Sequence, residues 1–258
     1  MNRTNILQAP SQLRELRIRD APLSKFPQSI GKLTHLERIY VNLERAKSKF
    51  ETLPEEFCNL RSLISLELLN CSEMKSLPEH FGNLTNLRHI DLKNCCRLER
   101  LPNSFGNLTS LKHLNLSSCS NLTISSETLG NIRTLEYINV SYCNNIEELP
   151  PQVTLQRSLQ KLYCASGNLK ELPSAIADLT KLEILHLGSG SLTALPDSLG
   201  DLRNLNKLVL VCLNLNCLQD SVGLLSQLIE LTLKCPIREL PFKARRRGDS
   251  SIGNCMFP

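Results

Sequence analysis

No apolar run in this 258-residue chain approaches the roughly 18 residues that cross a bilayer as a helix. The opening stretch MNRTNILQAPSQLRELRIRD has no apolar signal core either. The expected compartment is therefore a reducing one, cytoplasmic or nuclear, and no membrane partner is expected. Clustered cations are also scarce. The formal charge is +5, but Lys243, Arg245, Arg246 and Arg247 against Asp249 hold +3 of it in the last sixteen residues, leaving +2 elsewhere. A body so near neutral offers no footprint for nucleic acid, whose backbone binds through many grouped cations. There is no G-x-S-x-G nucleophile elbow. There is no G-x-x-x-x-G-K-[ST] phosphate loop, since GKLT at Gly31 lacks the upstream glycine. No catalysis and no cofactor are expected.

What the sequence has in abundance is one unit, written ten times. The pattern L-x-x-L-x-L begins at Leu13, Leu36, Leu63, Leu87, Leu111, Leu135, Leu159, Leu182, Leu205 and Leu228. The steps are 23, 27, 24, 24, 24, 24, 23, 23 and 23 residues. The alternating leucines at the head predict a short strand with one face buried. Pro54, Pro78, Pro102, Pro150, Pro173 and Pro196 cannot donate to a sheet ladder, so the chain turns there. NSFGNLTS and its equivalents return along the other side with a turn or two of helix. One unit cannot bury its own leucines, whereas stacked units can. The pattern is that of a leucine-rich repeat. It implies an α/β solenoid, a horseshoe of about ten repeats with a concave parallel β-sheet and short helices or turns on the convex side. The division is a flank at 1–12, a repeat domain at 13–242 and a basic, disordered tail at 243–258.

Cysteine recurs on the same pitch. Cys71, Cys95, Cys119 and Cys143 each sit eight residues after the first leucine of their repeat. On strands about 4.8 Å apart they form a row about 14 Å long. Four sulfurs in such a row cannot all reach a zinc ion at about 2.3 Å. The spacing alone permits disulfides, but parallel side chains do not face one another. Small buried thiols donating weakly to local carbonyls are the expected arrangement. Cys164, in a leucine slot, fits that expectation; Cys96, Cys212 and Cys217 break the ladder.

Some units depart from the pattern. The second is stretched by NLERAKSK, Asn42 to Lys49, which reads as a tolerated solvated insertion with partner contact as the alternative. The fifth has Ser125 and Ser126 in place of its Leu-Pro pair. Nothing before Leu13 resembles a polar cap, and the tenth unit stops after IRELPF, so a piece of something larger is expected.

LxxLxLxxC, LPxxFGNLTxL and the 23–24-residue spacing together resemble the repeat region of plant intracellular disease-resistance receptors. The stretch MKSLPEHFGNLTNLRHIDLKNCCRLERLPNSFGNLTSLKHLNLSSC carries the likeness best. That resemblance implies repeats that sense a pathogen effector or a guarded host protein, and that restrain a neighbouring nucleotide-binding switch domain. The phosphate loop of such a switch is missing from this sequence. Repeats seven to nine look more like Ras-group scaffolds with LPxxIxxLxxL, and bacterial leucine-rich effectors are a third neighbour. An ectodomain is a weaker alternative; it would use the N-x-S/T sites at Asn83, Asn107, Asn115, Asn121 and Asn139, which the repeat itself writes. RGD at Arg247 reads as an accident of the basic tail.

The partner is expected on the concave face. The third, fifth and seventh residues of each unit point outward, between the buried leucines. Six of the nine tyrosines and histidines fall in those slots: Tyr40, His89, His113, Tyr137, Tyr163 and His186. Ile184, Val209 and Val211 lie beside them, and water-facing branched residues next to amphipathic rings suit a binding hot spot. A missing neighbouring domain would cover the same residues equally well. His89 and His113, with Asp91 nearby, are a conceivable metal pair, but a solvated ladder is the commoner result of repeating one slot, and no metal is expected.

Overall fold

In the computed structural model, residues 12–240 are described apart from Lys47, Gly130 and Glu239. The expected tail at 243–258 and residues 1–11 of the flank lie outside them. Ten strands form one parallel sheet in strict chain order. They are β1 (Glu15–Arg19), β2 (Arg38–Asn42), β3 (Ser65–Leu69), β4 (His89–Asp91), β5 (His113–Asn115), β6 (Tyr137–Asn139), β7 (Lys161–Gly167), β8 (Ile184–Ser189), β9 (Lys207–Cys212) and β10 (Glu230–Leu233). One strand arises from each L-x-x-L-x-L. Its second and third leucines face inward, and in register they make two continuous apolar files. The first of these files runs Leu16, Ile39, Leu66, Ile90, Leu114, Ile138, Leu162, Leu185, Leu208 and Leu231. The fold is a leucine-rich repeat solenoid.

The return path is a 3₁₀ helix in eight units and a single α-helical turn, α1 (Pro151–Thr154), in another. The sequence accounts for that choice. Pro27, Pro54, Pro102, Pro173 and Pro196 enter the turn in an extended conformation with φ between −64° and −70°. The proline carbonyl then accepts from the apolar residue three places on, as Pro102 does from Phe105 at 2.9 Å. Leu108 donates to Phe105 and Leu111 to Leu108 in the same way, at 3.1 and 3.0 Å. Phe105 lies in the 3₁₀ helix Asn103–Asn107, Leu108 and Leu111 follow it in successive turns of the same three-residue spacing, and all three are buried. Neighbouring return segments lie so close that a Cβ on Gly82 would sit 1.9 Å from the Ser104 carbonyl oxygen. Only glycine fits there.

The irregular units find specific solutions. The Asn42–Lys49 insertion is solvated as expected, with Glu44, Arg45 and Lys49 exposed, but it is also anchored. Leu43 and Phe50 are buried at its two ends, the Arg45 N–H donates to Asp20 Oδ1 at 3.0 Å, and Ser48 Oγ donates to the Leu23 carbonyl. In the fifth unit Ser125 is exposed where other units bury leucine, and its Oγ lies 2.8 Å from Oγ1 of the buried Thr128.

The cysteine ladder is buried as expected. Cys71, Cys95, Cys119 and Cys143 are at most 1% exposed, and all are free thiols. The Sγ atoms of Cys95, Cys119 and Cys143 donate to the carbonyls of Leu68, Leu92 and Leu116, one repeat back, at 3.2, 3.2 and 3.0 Å. These three thiols thus tie their repeats to the preceding ones, whereas Cys71 Sγ donates to the Leu69 carbonyl within its own repeat at 3.7 Å.

Candidate functional site

The outer face of the sheet is built from the slots between the buried leucines. One file crosses it as Glu15, Arg38, Ser65, His89, His113, Tyr137, Lys161, Ile184, Lys207 and Glu230. The next runs Arg17, Tyr40, Glu67, Asp91, Asn115, Asn139, Tyr163, His186, Val209 and Thr232. All ten residues expected at the site are half-buried and on this face. The third file is less open than expected, because Ser117, Ser141 and Gly188 in the seventh slot are buried.

Five of the rings touch in series. His89 stacks on His113 with centroids 4.2 Å apart, and His113 stacks on Tyr137 at 4.0 Å, with planes 18° and 9° apart. The run then steps from the first file to the second. Tyr163 lies 5.5 Å from Tyr137, and His186 meets Tyr163 edge-on at 6.0 Å. His186 pairs in register with Val209, and Gly188 with Val211, while Ile184 lies beside Lys161. The result is a diagonal ridge of rings ending in an aliphatic patch. Tyr40 is not part of it. It stands apart under the Arg19 guanidinium, 5.2 Å from its ring centre.

His113, His186 and Tyr137 are uncharged at neutral pH. Burial, with a smaller contribution from His89, drives the His113 pKa down to about 4 against the opposing pull of Asp91. His186 is lowered by burial and by Lys207, and the Tyr137 phenol is raised by burial. The N-terminal end of the face differs, with Glu15, Arg17, Arg19, Arg38 and Glu67 around Tyr40.

Asp91 carries a structural duty that the sequence reading missed. Its Oδ1 accepts the Lys93 N–H at 2.9 Å, as Asn115 and Asn139 accept from Ser117 and Ser141 at 3.0 and 2.9 Å. These side chains imitate a backbone turn and end β4, β5 and β6 after three residues. Asn115 Nδ2 also donates to Asp91 Oδ2 at 2.9 Å. Tyr142 was missed altogether. It occupies the left-handed slot after β6 at φ 60°, where other repeats place Asp20, Asn70, Asn94 and Ser118, and it is 65% exposed. A bulky residue is rare in that conformation. The only hint in the sequence was its place one residue before Cys143, where Asn70 and Asn94 precede Cys71 and Cys95.

Comparison with known proteins agrees with the architecture. The family described as leucine-rich repeat region matches at residues 38–141 and 112–254. The leucine-rich repeat domain of the type III effector XopL is 26% identical, with a TM-score of 0.66 over 78% of this chain and 69% of that one. The functional domain of InlJ from Listeria monocytogenes is 21% identical, with a TM-score of 0.64 over 89% of this chain and 46% of that one. A TDR receptor is also 21% identical, with a TM-score of 0.62 over 86% and 40%. At that identity the last two bear on the fold alone. No curated protein matches the sequence. No helix among the described residues is long and apolar enough to cross a membrane.

Proposed function

The chain belongs to the leucine-rich repeat family, and we infer that it is a protein-recognition module without catalysis of its own, binding its partner on the outer face of the sheet. One observation carries this reading. The ridge from His89 to His186, with Ile184, Val209 and Val211 beside it, lies on a face with no covering element among the described residues. Rings that are large, rigid and polar at one end give much contact area for little lost freedom, which is the usual make-up of binding hot spots.

The motif likeness supports a narrower reading, the sensing and autoinhibitory repeats of a plant immune receptor, or a product derived from one. Its partner would be a pathogen effector, a guarded host protein or a neighbouring domain of the same receptor. A free-standing Ras-group-like scaffold is the second reading, favoured by LPSAIADLTKL at Leu172 to Leu182. A full-length transcript separates the two, since a nucleotide-binding domain encoded upstream belongs to the first.

The test of the face is Tyr163→Ala combined with Val209→Asp, assayed against a partner identified by affinity purification with the native chain as bait. The expected variant keeps its far-ultraviolet dichroism and melting temperature and loses the partner. A folded variant that still binds moves recognition elsewhere, with the Asn42–Lys49 segment next in line. An unfolded variant refutes the outward placement of the two side chains.

A further inference from the structure

We propose that His89, Asp91 and His113 together bind one divalent transition ion of the zinc class. The register sets His89 directly beside His113 on adjacent parallel strands, and Asp91 two residues on from His89 on the same face. One ligand atom from each of the three lies within 4.8 Å of the others. Ligands at about 2.0–2.2 Å from a common ion stand up to about 4 Å apart. Closing the remaining distance calls for rotation of two imidazoles whose backbones are pinned in the sheet. The rings already stand side by side, 4.2 Å between centres and 18° between planes.

The carboxylate is what distinguishes this cluster from a simple repeated slot. Asp91 is held by the Lys93 N–H on one oxygen and the Asn115 amide on the other, both at 2.9 Å. Outer hydrogen bonds that aim a ligating carboxylate are a regular part of metal sites. Two imidazoles and one carboxylate suit zinc, copper(II), nickel or cobalt, whereas magnesium and calcium prefer all-oxygen cages. Three protein ligands leave at least one position facing outward, open to water or to a side chain brought by a partner. The site stands whether or not the ridge binds a protein.

The experiment uses the full chain, stripped with a chelator and titrated with Zn²⁺ in a calorimeter, and with Co²⁺ followed by absorption. One ion per chain is expected, with cobalt bands from nitrogen and oxygen ligands and no thiolate charge transfer. His113→Ala and His89→Gln are expected to lower zinc affinity at least about tenfold. Cys96→Ser, Cys217→Ser and His80→Ala are expected to leave it unchanged. In wild-type protein, zinc is expected to move the ring resonances of His89 and His113 and not those of His35, a readout that needs no variant to fold. The proposal is overturned by no stoichiometric binding, by binding that survives both histidine substitutions, by loss of binding in a cysteine variant, or by ring resonances that do not move.

Discussion

Replacing Cys119 with serine tests whether the thiol ladder is a set of interlocking donors or merely a row of small fillers. Cys119 is fully buried, and its Sγ lies 3.2 Å from the Leu92 carbonyl oxygen in the preceding repeat. Burial, reinforced by the neighbouring Cys143, raises its pKa, and burial pushes Cys143 itself up to about 11. The group is therefore a thiol and a donor, not a thiolate. Serine keeps the donor but is smaller, and it brings a more strongly hydrated hydroxyl into an apolar layer. Such a group without a good partner costs about 1–3 kcal/mol, and a satisfactory hydrogen bond recovers about 0.5–1.5 kcal/mol. The Leu92 oxygen already receives the Cys95 N–H at 3.2 Å, so recovery falls at the low end. The expected net loss is about 1–2 kcal/mol. Alanine leaves a small void but orphans nothing, because Leu92 retains the Cys95 N–H, so serine should cost at least as much as alanine. Urea unfolding of the reduced protein reads this as a shift of midpoint at constant slope, the constancy also checking that the repeats still unfold together. A serine variant as stable as wild type, beside a destabilised alanine variant, would refute the reasoning: donor geometry alone would then be what the slot requires.

Tyr142→Asn should stabilise the chain by roughly 1 kcal/mol, since asparagine tolerates the left-handed conformation that tyrosine holds there at φ 60°. A lower urea midpoint would instead mean that the exposed ring makes a contact worth more than the strain. Stability in the presence of a chelator should fall as pH drops from about 7 toward 4. The folded pKa of His113, about 4, lies below the ordinary histidine value of 6.5, so the unfolded chain binds the proton first. The stabilisation is complete above the unfolded pKa and is lost on the way down to the folded one. By pH 5 the loss should be roughly 1 kcal/mol after allowance for solvent at this half-open face. The groups bearing on the ring are His89, Asp91 and Tyr137. His113→Gln should flatten the pH dependence of the urea midpoint, and an unchanged slope would locate the titration elsewhere.

The solenoid was legible because its information is periodic. Leu66, Ile90, Leu114 and their equivalents must face one way if each unit is to bury anything, and that requirement fixes strand, register and order together. The same logic placed Tyr40, Tyr163, His186 and Val209 on the outer face. The form of the return path was less legible, although the proline followed by apolar residues three apart at Phe105, Leu108 and Leu111 contained it. The insertion at Asn42–Lys49 is solvated as read, but its anchoring was not legible. Its charged letters suggested solvent, while the residues that anchor it, Leu43 and Phe50, lie at its edges and look like ordinary members of the repeat.

What periodicity does not carry is the relation between side chains that share a face without sharing a slot. His89, His113 and Tyr137 could be lined up from their spacing alone, since each is the third residue of its unit. Tyr163 is the fifth of its unit, and its contact with Tyr137 crosses between files on neighbouring strands. Asn139, directly opposite Tyr163 in register, makes room for that crossing because its amide is turned to the Tyr137 hydroxyl at 3.3 Å and to the Ser141 N–H at 2.9 Å. The Asx side chains that end β4, β5 and β6 early thus also shape the ridge. At Asp91 the same turn holds a carboxylate beside two imidazoles. A residue chosen to finish a strand and a residue chosen to bind are the same residue here, so substituting Asp91 changes both the strand end and the face it supports. Asp91→Asn is the informative change, because an amide oxygen still accepts the Lys93 N–H while the charge is gone and only the bond from the Asn115 amide to Oδ2 is lost with it. A loss of metal or partner binding with no more than the roughly 1 kcal/mol of stability that one hydrogen bond contributes would separate the two duties.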